Sequence, residues 1–152
     1  METLEADFAA FTSRVEPALR RALLGAVGAQ RVDNAAGEAL AYAYEHYEQV
    51  SAMEHPVGYL FRVGQSRTRP RKRLRLFRDT PPAMPEVEPG LMPALLQLPE
   101  SQRLAVWLVH GCGWTHGETA EVLGVTTSTA STHVARGLER LRRELGVNDA
   151  SD

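Results

Sequence analysis

Six of the seven residues from 126 to 132 carry hydroxyls: Thr126, Thr127, Ser128, Thr129, Ser131 and Thr132. His133 and Arg136 follow. Such a set can hydrogen-bond phosphate oxygens and base edges. Arg136 adds a fixed positive charge, and a histidine gains one below a pKa of about 6.5. A second set is more strongly charged. Residues 62–78 hold Arg62, Arg67, Arg69, Arg71, Lys72, Arg73, Arg75 and Arg78 with no acid, a local charge of +8. The chemistry of that run is phosphate neutralisation. Residues 110–116 read His-Gly-Cys-Gly-Trp-Thr-His, one thiolate and two imidazoles that could ligate a metal. A Gly-rich stretch between two helices is more simply a helix-ending turn, and that reading is preferred. No Ser-His-Asp ordering, phosphate-cradling glycine loop or paired carboxylates stand out. We therefore expect no enzyme, no metal and no cofactor.

The hydroxyl run needs an element to present it. Ala120, Leu123 and Gly124, followed by Ala130 and Val134 at i, i+4, have the pattern of a helix-turn-helix. A small residue at 120 lets the helices approach, and glycine at 124 tolerates a tight turn. In that motif the second helix enters the major groove and its N-terminal residues face the bases. A preceding helix is expected from Leu98, with Pro99 at its first position and Leu104, Trp107 and Leu108 on one face. The second helix should continue through Leu138, Leu141 and Leu145 and stop at Gly146.

Three amphipathic segments precede the basic run. The first spans about residues 4–27, with Phe8, Phe11, Val15, Leu19, Leu23 and Leu24 at helical spacing and Pro17 expected to kink or divide it. The second is expected from about Asn34 to Val50, capped by Asp33 or Asn34 and carrying Leu40, Tyr44 and Tyr47. His55-Pro56 opens the third, which Pro70 should stop near Arg69. Spacing directs Phe61 into the core and leaves Tyr59 open to packing or to stacking on unpaired bases.

The net charge of −2 conceals a sharp partition: −5 over residues 1–61, +8 over 62–78, −4 over 79–102 and −1 beyond. A near-neutral total does not argue against nucleic acid when one segment is this basic. Six of the nine prolines fall in residues 79–99. The expected fold is all-α, with two small helical domains, 1–78 and 98–147, joined by an acidic Pro-rich linker at 79–97. One cysteine leaves no disulfide framework, and no apolar run spans a membrane, so a cytoplasmic location is expected.

The two halves together resemble a small sigma factor of the extracytoplasmic-function type. Leu98-Pro-Glu-Ser-Gln-Arg103, Glu118-Thr-Ala-Glu-Val-Leu-Gly-Val125 and Thr129 to Arg142 are similar to region 4, which reads the upstream promoter element. Glu38, Ala41 to Val50 and Pro56 to Val63 are similar to region 2, which docks on polymerase and opens the downstream element. The resemblance implies RNA polymerase core and promoter DNA as partners, with an anti-sigma protein as a family expectation. It places Asp33, Asn34, Glu38, Tyr42 and Glu45 towards polymerase. Departures are concentrated at Asn34 and Gly37, where the family usually has an acid and a glutamine, and at Ser66 and Pro70, where an uninterrupted helix is usual. Ser131 and His133 stand where Lys and Arg are common. The alternative is a sigma-like helix-turn-helix regulator that binds DNA without opening promoters.

Overall fold

The computed structural model describes residues 2–68 and 90–146, and every regular element among them is helical. The chain divides into two compact units, Met1–Pro82 and Ala83–Asp152. The all-α expectation holds.

In the first unit, α1 (Glu2–Val27) packs against α2 (Val32–Glu45) and α4 (Pro56–Arg67), with the short α3 (Tyr47–Ser51) between the latter two in sequence. The α1 stripe Phe11, Val15, Leu19 and Leu23 is buried as its spacing predicts. Pro17 lies inside one continuous helix, so of the two expected outcomes the division does not occur. Its missing N–H and ring clash weaken one turn, but buried residues on both sides hold that turn against the core. Against this face α2 lays Ala35, Ala36, Ala39 and Ala43, all fully buried. Methyl-sized side chains here bring α2 close to α1 and α4. Tyr44, expected on the inner stripe, is exposed instead.

The second segment is not one helix to Val50. The backbone at His46 leaves helical geometry (φ −121°, ψ 36°), and the chain restarts as α3. Nor does Asp33 or Asn34 cap α2. Its N-cap is Arg31, whose guanidinium has no acceptor and makes no cap bond, while Asp33 lies in the first turn and its carboxylate pairs with Arg20 of α1. That guanidinium also holds Glu16 at 3.0 Å, and the two hydrogen bonds raise the pKa of Arg20 above its ordinary value. The third helix begins at Pro56 as expected and ends at Arg67; Pro70 and residues 69–89 lie outside the described residues.

In the second unit, α5 (Leu91–Leu96) leads into α6 (Glu100–Val106), a π-helical turn (Trp107–Gly111), α7 (His116–Leu123) and α8 (Thr127–Glu144). The helix α5 falls inside the segment expected as linker. Its Pro93 sits in the first turn, where backbone N–H groups have no intrahelical partner to lose. Ala94, Leu95 and Leu98 are buried, so this segment belongs to the unit's core. Pro99 precedes α6 as its N-cap and not as its first residue.

Candidate nucleic-acid interface

Two local devices fix α7 and α8. Thr115 and Glu118 form a capping box: the Glu118 N–H donates to Thr115 Oγ1 (3.0 Å) and the Thr115 N–H to Glu118 Oε1 (2.9 Å). The Thr-x-x-Glu spacing is the sequence signature of this box. Gly124 closes α7 with φ +70°, a left-handed conformation that glycine takes without steric cost, as the turn pattern required. Ala120, Ala130 and Val134 are buried at the crossing. Behind them α6 packs on α8, with Leu104 and Leu108 buried and Trp107 held in the π-turn, where the Cys112 N–H donates to the Trp107 carbonyl at 3.0 Å. Cys112 is half-buried in the turn that follows. Among the described residues no cluster of three or more His, Cys, Asp or Glu could hold a metal ion.

The hydroxyl run is divided by this geometry. Thr126 is the N-cap of α8. Its oxygen accepts from the Thr129 N–H (3.1 Å), and its O–H donates to Thr129 Oγ1 (2.9 Å). Thr132 donates to the Ser128 carbonyl at 3.1 Å, a bond internal to the helix. Thr127, Ser128 and Ser131 are exposed, and their hydroxyls face outward with Arg136 further along the helix. His133 is half-buried. It lines an open cleft of about 410 Å³ with Glu100, Ser101, Leu104, Leu123 and Val125. The outward face of α8 thus presents small donors and acceptors, a surface that can approach closely without an aromatic or a long aliphatic side chain intervening.

The cap sets the direction of that face. Thr126→Ala should destabilise the second unit by about 0.5–2 kcal/mol, because the Thr129 N–H loses its acceptor. Urea denaturation followed by circular dichroism measures this directly.

In the first unit, Arg62 and Arg67 are the described members of the basic run, and both are exposed; Arg69, Arg71, Lys72 and Arg73 lie outside the described residues. Phe61 is fully buried, as its spacing indicates. Tyr59 is 37% exposed, and its hydroxyl lies 2.9 Å from that of Tyr42 on α2. This bond raises the Tyr42 phenol above its ordinary pKa, so the ring is neutral throughout the physiological range. Arg67 reaches back across the same ring, 5.4 Å from its centroid, and pairs with Glu38 at 3.4 Å. Asp33, Asn34, Glu38 and Glu45 are exposed on α2, with Tyr42 half-buried among them. Sequence spacing gave no sign of the Glu38–Arg67 pair, whose members are 29 residues apart.

Residues 91–141, about a third of the chain, match the family described as Sigma-70, region 4. No curated protein matches the chain. Among solved structures, the sigma factor RpoE in complex with the anti-sigma factor NepR, from Bartonella quintana, is similar at a TM-score of 0.76. It shares 22% identity over 93% of this chain and 98% of that one. CnrH, solved in complex with the cytosolic domain of CnrY, is similar at a TM-score of 0.68 and 20% identity, covering 95% of this chain and 91% of that one.

Proposed function

We propose that this chain is a sigma factor of the extracytoplasmic-function type that binds RNA polymerase core and directs promoter-specific transcription initiation, a reading supported by the region 4 match over residues 91–141 and by the likeness of its fold to solved sigma factors. The observation that carries the reading is the outward face of α8. Thr127, Ser128, Ser131 and Arg136 are presented by a helix-turn-helix whose turn glycine, small crossing residues and caps are all in place. In this role α8 lies in the major groove of the upstream promoter element. The exposed face of α2, with Asp33, Asn34, Glu38, Tyr42 and Glu45, docks on polymerase, and the basic run beginning at Arg62 tracks the DNA backbone. The role is one of binding and positioning, with no catalytic residue. An anti-sigma protein is a fitting further partner, since the neighbouring RpoE was solved with one. Among the described residues no helix is long and apolar enough to cross a membrane.

The test is whether the purified protein binds polymerase core and initiates transcription from a bank of promoters. Core binding with new initiation supports the sigma factor. DNA binding without core binding gives the regulator reading instead, and Gly37 on the exposed face of α2 would then mark the lost docking contact.

Arg136 separates base reading from backbone contact. It lies nine residues beyond Thr127, about 13 Å along the helix, past the N-terminal turn that faces the bases. Arg136→Ala is expected to weaken cognate and unrelated duplexes equally and to lower the log–log salt slope by about 1. Loss of about 1–3 kcal/mol on the cognate site alone would assign it to a base instead. Fluorescence anisotropy on both duplexes, across a salt series, decides.

A further inference from the structure

Arg67 opens the basic run after Arg62, yet its guanidinium is turned towards α2, where Glu38 takes it at 3.4 Å and the Tyr42 ring lies under it at 5.4 Å. Tyr42 is itself fixed to α4 through the Tyr59 hydroxyl at 2.9 Å. The carboxylate that holds Arg67 and the ring beneath it are two residues of the face assigned to polymerase, and Arg67 belongs to the set assigned to DNA. One ion pair therefore joins the two surfaces. We propose that Glu38 and Tyr42 form a clasp that withholds Arg67 from DNA phosphate in the free protein and releases it when polymerase engages Glu38. This inference rests on the polymerase and DNA assignments above.

The physical basis is competition for one cation. A guanidinium bonded to a carboxylate cannot give the same N–H groups to a phosphate. Both partners are half-exposed, 45% and 46% by side chain, so the pair is weak enough to open at low cost. By linkage, whatever draws Glu38 away raises the affinity of Arg67 for phosphate, and DNA on Arg67 frees Glu38 for polymerase by the same factor. Exposed pairs of this kind correspond to factors of about 1.5–5.

The experiment uses the full chain and a fluorescein-labelled random-sequence duplex at low salt. Glu38→Gln should tighten duplex binding by about 1.5–5-fold. In the Arg67→Gln background the same change should have no effect beyond general charge removal, which Glu45→Gln measures on the same helix. An equal gain with and without Arg67 would overturn the clasp, as would a duplex affinity unmoved by Arg67→Gln or no duplex binding at all. Polymerase core is then titrated in separately. Wild-type protein that binds duplex with the Glu38–Arg67 coupling but ignores core would keep the competition and remove the polymerase release. Tighter duplex binding in the presence of core, lost in Arg67→Gln, supports both.

Discussion

Gly137→Ala should lower the stability of the second unit by about 1–3 kcal/mol, although alanine is the better helix former. The ordinary gain from replacing a helical glycine is about 0.5–1 kcal/mol. Here a Cβ would stand 2.5 Å from Val106 Cγ2 and 3.1 Å from the Gln102 carbonyl oxygen. Neither neighbour can give way cheaply. Val106 is buried and β-branched, so its χ1 is stiff, and the carbonyl oxygen moves only if α6 moves. Overpacking of this kind costs about 1–3 kcal/mol beyond what propensity returns. For a unit of this size each kcal/mol shifts Tm by roughly 4–8 °C. Gly137→Val, with two more carbons at the same spot, should be worse still. Because α6 sets the position of α8, duplex binding should fall with stability in both variants. Calorimetry of the full chain checks the first point; an unchanged or raised melting temperature would show that α6 and α8 do not approach as closely as the structure has them.

That contact marks where sequence reading stops. The helix-turn-helix was legible because its signals are local: a turn glycine at 124, small residues at 120 and 130, and Val134 at i, i+4 from Ala130. Periodicity likewise found the buried stripes of α1 and α6. Two features were not legible because each depends on a distant partner, and a third was passed over although its partners are local. Asp33 had the composition of a cap, but Arg20 of α1 draws its carboxylate away. Residues 91–96 carried a proline and an adjoining Pro-rich stretch, yet their leucines found a core to enter, and tertiary burial outweighed composition. The hydroxyl run read as one surface, although capping and back-bonding at Thr126 and Thr132 commit part of it to the helix itself. His133 shared the run's position in sequence but lines the cleft beside α6.

DNA affinity should fall by about 10³–10⁵ between 50 mM and 200 mM salt, the response of six to ten phosphate contacts. A chain of net charge −2 would be weakly repelled by DNA if its charge were spread evenly. It is not: eight cations fall within residues 62–78 without an acid, and the −5 and −4 segments lie on either side in sequence. At 0.1 M salt, charges more than about 10 Å away are largely screened, so a phosphate responds to the charges beside it and not to the net charge of the chain. Each cation that displaces a condensed counterion contributes about 0.9 to the log–log slope. Replacing Arg71, Lys72 and Arg73 by glutamine together should therefore flatten the slope by about 2.7. Arg67 should contribute less than its neighbours in the free protein, since Glu38 competes for it, and a full share once that carboxylate is removed. Anisotropy titrations across the salt series read both effects. A slope of about 1, the share of Arg136 by itself, would remove the basic run from the interface and leave α8 as the whole of the DNA contact.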